Sequence, residues 1–436
     1  MNQATYIMWG VVLVLALGSV LLMADRVAEP GGAFVAQAAK ASVIHARART
    51  ATIAPMQTEV FPLALFAVGG MLVFPAAADL PTLFVALEVL SLPLYVMCGL
   101  ARRRRLLSQE AAVKYFLLGA FASAILLYGI ALLYGYSGSL RLADIALATQ
   151  GGGRSNLLLL GGMALLVVGL LFKGSVGPFH TWTPDVYQGA PTPITAFMGA
   201  CTKVAAFAAM IRVFYTAFAP SLWDWRGTLW AIAIASMLIG AIVGITQTDV
   251  KRMLAYSSVA HAGFLMLGVM TLTLAGMSAT FFYLLTYGFA IIGSLALAML
   301  VRNADGEVGQ ISQWAGLARR SPMLAALMTL FLLSFAGIPL TSGFIAKLTL
   351  FSAATDAGMG PLVVVAMIAT AITAFFYLKI VVLMYFSEPL QDGPVVTVPS
   401  PMTLAVIGIC GVATLGLGLF PSYVLDLLSV TTPLLS

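Results

Sequence analysis

Charge is what this chain has least of. Of its 436 residues only 9% are Asp, Glu, Lys or Arg, while 61% are hydrophobic, and the mean hydropathy is +1.02. A soluble domain of that length could not cover itself with so little polar surface, so the composition defines a polytopic membrane protein. Cysteine is nearly missing too. Cys98, Cys201 and Cys410 stand singly in apolar runs, which excludes a disulfide framework or a cysteine metal site and leaves small buried hydrophobes. There is no phosphate loop, no dinucleotide fingerprint and no cluster at metal-ligand spacing, so any redox cofactor must belong to a partner.

What is present is a series of apolar runs of about the 20 residues that a spanning helix needs. The first occupies residues 5–23. No basic segment precedes it, so it reads as a retained helix and not as a signal peptide. Residues 24–58 are too polar to cross and read as a loop with a surface helix. Eleven further spans follow at about 60–77, 80–100, 112–135, 156–174, 192–216, 228–247, 253–272, 276–301, 322–354, 361–386 and 402–421. The expectation is an all-α membrane protein of about twelve helices. Loops after odd-numbered spans hold thirteen Lys and Arg residues, the opposite set four. By the positive-inside rule both termini then lie on the non-cytoplasmic side. The block Arg102-Arg103-Arg104-Arg105 fits a topology anchor at the inner lipid surface better than a nucleic-acid site.

Two of these runs are interrupted. Phe172-Lys-Gly-Ser-Val-Gly-Pro-Phe-His180 places Lys173 beside Gly174, Gly177 and Pro178. Phe331-Leu-Leu-Ser-Phe-Ala-Gly-Ile-Pro339 precedes Lys347 by a turn or two, with breaks at Gly337 and Pro339. A lysine deep in a membrane helix costs roughly 2.5–3.5 kcal/mol even on lenient scales. A broken ladder leaves backbone groups that lipid cannot satisfy, so both interruptions point to hydrated polar sites. Lys173 and Lys347 are 174 residues apart, and Lys203 and Lys379, one span later, are 176 apart. Five spans separate each pair, and an odd number reverses direction. The chain therefore divides into an N-terminal helix and polar loop (1–58), two inverted five-helix repeats (59–216 and 217–386) and a C-terminal loop and helix (387–436). Interrupted helices at matching places in inverted repeats mark the ion path of a transporter.

Glu88 is the one carboxylate in the apolar body of a span, and so the expected counter-ion of a lysine. Lys114 follows Glu110 by four residues, which also suits a surface pair. Lys379, late in its span, suits snorkelling as well as a path. Imidazole ordinarily titrates near neutral pH, so His261 and His180 are candidates for a proton relay, a structural hydrogen bond being the alternative for each.

Five motifs then resemble one known family. They are Glu88-Val-Leu-Ser-Leu-Pro-Leu-Tyr95, Glu110-Ala-Ala-Val-Lys-Tyr-Phe-Leu-Leu-Gly-Ala-Phe121, Pro178-Phe-His-Thr-Trp-Thr-Pro-Asp-Val-Tyr-Gln-Gly-Ala-Pro191, Asp249-Val-Lys-Arg-Met-Leu-Ala-Tyr-Ser-Ser258 and Leu333-Ser-Phe-Ala-Gly-Ile-Pro339. Together they look like the antiporter-like membrane subunits of respiratory complex I. The resemblance implies a proton-translocating membrane-arm subunit in a bacterial cell membrane, surrounded by other membrane-arm subunits. It implies no cofactor in this chain, with FMN, iron–sulfur clusters, NADH and quinone handled elsewhere in the complex. It matches Glu88 and Lys173 to a glutamate–lysine pair, Lys203 to a central lysine, Lys347 to a lysine near the outlet, and Lys114 to a lysine of the following helix. The family implies fourteen helices, so the chain reads as short at its N-terminal edge. Alternative readings are a subunit of a multi-subunit Na+(K+)/H+ antiporter, which shares the architecture, and a non-conducting scaffold.

Overall fold

Asn2 opens the first helix, its side chain accepting from the Thr5 amide, and twenty-one residues of unbroken apolar sequence then carry α1 across Gln3–Met23. The structure, a computed structural model, describes residues 2–28, 32–34, 59–150, 156–304, 306–391 and 393–431. The surface helix expected within 24–58, and Lys40, Arg47, Arg49 and Arg154 of the charge count, lie outside the described residues. The next helices are α2 (Val60–Val73, prolonged by a 3₁₀ turn to Ala76), α3 (Leu80–Cys98), α4 (Arg105–Ser137), the short α5 (Leu142–Gln150) and α6 (Asn156–Lys173). After the break come α7 (Trp182–Gly189) and a span made of α8 (Thr192–Phe197), a π-helical turn (Met198–Thr202) and α9 (Lys203–Thr216).

The second half repeats this plan. It runs through α10 (Leu222–Ile245), α11 (Val250–Thr271), α12 (Leu274–Ala298), the short α13 (Leu317–Arg320), then α14 (Pro322–Ala336) and α15 (Ser342–Asp356) across the second break, and α16 (Gly360–Phe386). The chain ends with α17 (Pro401–Leu419) and α18 (Ser422–Leu427). Ten helices among the described residues are long and apolar enough to cross a membrane. The α2 segment and the broken α14–α15 pair complete the twelve crossings. In each half the fourth span is the broken one.

The repeat is visible in its smallest parts. Asp79 caps α3 by accepting from Thr82 and bridges to Arg141; Asp249 caps α11 by accepting from Arg252 and bridges to Gln310. A Cβ on Gly70 would strike the Leu90 backbone, and one on Gly240 the Ala260 backbone. The capping residues, the glycines and the backbones they approach lie 170 positions from their counterparts, and the bridge partners Arg141 and Gln310 lie 169 apart. The glycines let α2 meet α3, and α10 meet α11, at backbone distance, the usual device for joining helices where lipid supplies no hydrophobic drive. The two caps lie at opposite ends of the bundle, as inversion requires. The Asp249 end also carries a small antiparallel sheet, β1 (Val301–Asn303) between β2 (Gly306–Glu307) and β3 (Val395–Val396), which hydropathy does not announce.

Burial separates an inner column from an outer ring. The span Thr192–Thr216 is 100% buried over its most apolar window, α11 94% and α12 89%, against 39% for α4, α10, α16 and α17. The inner column therefore faces protein on every side, and it carries Lys203 and His261.

Candidate functional site

Lys173 ends α6 and is 5% exposed. Its Nζ donates to Ser91 Oγ of α3 at 2.8 Å and to Tyr115 OH of α4 at 3.0 Å. It also lies 5.2 Å from the Tyr115 ring centroid and 5.8 Å from that of Tyr95. Tyr115 is held edge-on by Tyr95 and stacked at 4.5 Å on Trp182 of α7, so the segment after the break clamps the ring that faces the lysine. Glu88 sits one turn before Ser91. Its Oε1 is buried and has no hydrogen-bond partner, and it makes no ion pair with Lys173 within 4.0 Å. The glutamate–lysine pair is therefore not a direct contact: hydroxyls and aromatic faces hold the lysine, and the Glu88 carboxylate acts on it at longer range.

Lys203 follows the π-helical turn directly, a backbone irregularity often found at functional sites. Its Nζ donates to the Ser258 carbonyl of α11 at 2.5 Å and lies 5.2 Å from the Tyr287 ring. Ser258 Oγ and Tyr287 OH are buried beside each other there, polar atoms facing a polar interior. One turn along α11, His261 Nδ1 meets Tyr283 OH at 2.7 Å, and Nε2 meets Tyr377 OH at 3.5 Å. Tyr377 continues to Ser257 Oγ.

Lys347 lies in the first turns of α15 and reaches back over the break to the Phe335 and Ala336 carbonyls at 2.8 and 3.2 Å. These are carbonyls at the C-terminal end of α14, where the helix dipole favours a cation. Gly337, at φ 78, makes room: a Cβ there would stand 2.9 Å from Lys347 Cδ. The break was expected to free backbone groups for water. Protein groups take several of them: Lys347 here, and at the first break Trp182 Nε1, which donates to the Phe172 carbonyl, and Ser236 Oγ, which accepts from the Gly177 amide.

The secondary residues divide. Lys114 is half-exposed, pairing with Glu110 at 2.7 Å and Asp185 at 2.8 Å, and Arg252 joins Asp185 at 2.5 Å. This four-residue chain ties α4, α7 and α11 together at the basic end. Burial raises the Asp185 carboxyl, but bonds from Lys114 and Arg252 outweigh it and hold the group below the usual carboxylate range. His180 is buried in the first break, its ring 6.0 Å from that of Tyr256, and burial lowers its affinity for a proton. Lys379 is exposed on α16, the placement of a snorkelling side chain; Tyr377, two residues earlier, is buried and reaches His261. Ser91, Tyr115, Tyr283, Tyr287 and Tyr377 escaped sequence reasoning, because a lone hydroxyl in an apolar run looks like packing. Among the described residues no group of three or more His, Cys, Asp or Glu could hold a metal.

An inverted pair of five-helix units, each with a broken helix and a buried lysine beside it, defines an ion-translocating membrane protein of the antiporter type. The chain belongs to the NADH:quinone oxidoreductase/Mrp antiporter transmembrane family, whose model matches residues 77–373, and within it to the subunit N family of NADH-quinone oxidoreductases. It is 61% identical over 428 residues to NADH-quinone oxidoreductase subunit N of Saccharopolyspora erythraea, covering 98% of this chain and 83% of that one. Subunit N of Acidothermus cellulolyticus is 55% identical over 431 residues, covering 99% and 83%. Among solved structures, a chain of Thermus thermophilus respiratory complex I superposes with a TM-score of 0.78 at 32% identity, covering 98% of this chain and 87% of that one. A chain of the Mrp complex from a Dietzia species reaches 0.80 at 24% identity, covering 98% and 83%, a likeness of fold alone.

Proposed function

We propose that this chain, a proton-translocating membrane-arm subunit of NADH:quinone oxidoreductase, moves protons along Glu88, Lys173, Lys203, His261 and Lys347. One observation carries the reading: three lysines lie buried in the spans, each bonded only to neutral oxygens. Such a charge is held weakly enough to be moved. Burying a lysine costs its charged form up to roughly 4–7 kcal/mol, and a carboxylate brought to about 4 Å returns roughly 4 kcal/mol at an effective dielectric of 20. The two are comparable, so a shift of Glu88 toward or away from Lys173 switches the site. Driving one charge against 100 mV needs roughly 2.3 kcal/mol, which the switch covers.

The partners suit the parts. The Tyr115 hydroxyl can both donate and accept, so it can bond Lys173 in either protonation state, while Ser91, which donates to the Leu87 carbonyl, and the carbonyls at Lys203 and Lys347 accept from the lysines and favour their charged form. In this reading the basic end is cytoplasmic and both termini lie outside. Protons load at Lys173, cross by Lys203 and the Tyr283–His261–Tyr377 chain, and leave by Lys347. Other subunits hold FMN, iron–sulfur clusters and quinone, and their redox reaction supplies the drive. The test replaces Lys347 with Ala and follows acidification by inverted membrane vesicles fed NADH; full pumping by an assembled complex would sink the proposed route.

A further inference from the structure

Several buried hydroxyls in these spans turn back on their own helix. Ser19, Ser91, Thr280 and Thr414 each donate to the carbonyl four residues earlier, a common resort of serine and threonine away from water. Ser236 of α10 does not. Its Oγ accepts from the Gly177 amide at 3.0 Å and donates to the Val259 carbonyl at 2.8 Å, and the residue is fully buried. One hydroxyl thus bridges two other segments, the first break and α11. Backbones meet at the same place. A Cβ on Gly177 would stand 3.1 Å from Ser236 Cα, so the break lies directly on α10. A Cβ on Gly240 would strike the Ala260 backbone, and one on Gly263 would stand 2.8 Å from the Met237 amide nitrogen. Ser236 therefore sits where α10 and α11 touch at backbone distance, and contacts packed this closely transmit a displacement instead of absorbing it.

The two ends of this bridge belong to two lysine sites. Gly177 lies four residues after Lys173, which ends α6. Val259 follows Ser258, whose carbonyl accepts from Lys203. We propose that Ser236 is a positioning residue for proton transfer: its hydroxyl ties the backbone beside Lys173 to the α11 segment that receives Lys203, and so fixes one lysine site against the other. The inference rests on the lysine route proposed above. Ser236 acts through its two backbone partners and carries no proton between lysines. A shift of the break as Lys173 gains or loses its charge is passed through the hydroxyl to α11, and from there to the carbonyl that holds Lys203. Without the hydroxyl the Gly177 amide and the Val259 carbonyl lose their common partner, and the two sites move independently.

The test records proton uptake per NADH oxidised in inverted membrane vesicles that hold the assembled complex. S236T and S236V have the same shape and differ in the hydroxyl, so packing strain cancels between them. S236A is compared with S294A, which removes a buried α12 hydroxyl that donates to its own helix. Uptake per NADH should fall roughly twofold to tenfold in S236V relative to S236T, and in S236A relative to wild type, as the loss of a hydrogen bond predicts. S294A should keep the wild-type ratio. A merely structural role would lower the amount of assembled complex and leave the ratio unmoved. Equal ratios in S236T and S236V, or a wild-type ratio in S236A, overturn the inference; where S236T and S236V do not assemble, S236A against S294A decides. K203A in the same assay keeps the two claims apart. A lowered ratio in K203A beside an unchanged S236A removes Ser236 and leaves the route standing, whereas an unchanged ratio in K203A overturns the route itself.

Discussion

Tyr115 does more for Lys173 than its sequence context suggests. Its hydroxyl accepts from the ammonium and its ring lies 5.2 Å away, so Tyr115→Phe removes the bond and leaves the ring. A hydrogen bond to a charged group contributes roughly 1.5–3 kcal/mol; pumping should therefore fall about tenfold while complex assembly stays normal, and undiminished pumping in vesicles would count against the hydroxyl's role. Lys379→Ala should leave pumping within about twofold of wild type, as expected of a snorkelling side chain on an exposed face. Asp185 gives a pH signature. Its carboxyl is held below the usual range, so its contribution is complete above the ordinary carboxylate value of about 3.9 and is lost as pH falls through the lowered value. Thermal scans should show a steeper loss of stability below about pH 4 in wild type than in Asp185→Asn; parallel curves would contradict the pairing. Lysines in apolar runs are legible because they violate the composition around them. Tyr115 and Tyr377 are not, since tyrosine is ordinary in a membrane helix and only the fold turns it inward.

At the scale of elements, the helix pairs α2–α3 and α10–α11 are the same joint built twice. Gly240→Val would force a side chain into the Ala260 backbone; overpacking typically costs about 1–3 kcal/mol, and contact with backbone leaves little relief. Gly227→Ala, on the same helix with nothing within 4 Å, is the control. Detergent-solubilised Gly240→Val should unfold at lower temperature than Gly227→Ala, and equal midpoints would refute the close packing. The same 170-residue offset sets Ser258 opposite Glu88 and His261 opposite Ser91. The first half therefore keeps the carboxylate, while the second offers a hydroxyl and an imidazole. Hydropathy and the Gly–Pro interruptions were enough to place twelve crossings and both breaks. They could not place the π-helical turn before Lys203 or the sheet formed with 395–396, because those depend on contacts between residues far apart in the chain.

For the whole molecule, inversion explains why the two lysines at the breaks have unlike neighbours. Lys173 precedes its break and turns to hydroxyls on α3 and α4. Lys347 follows its break and turns to the carbonyl end of α14. Between them the most buried column of the fold holds Lys203 and His261, and Lys203 and Lys347 both lie within electrostatic reach of His261, as the proposed route requires. The central claim is that Glu88 and Lys173 form the switch that loads this line. It is tested most directly by replacing Glu88 with Gln and Lys173 with Ala, separately, and recording proton uptake and NADH oxidation together in inverted membrane vesicles. The account predicts assembled complexes whose proton uptake per NADH falls sharply in both variants; undiminished uptake with an intact complex in either would contradict it.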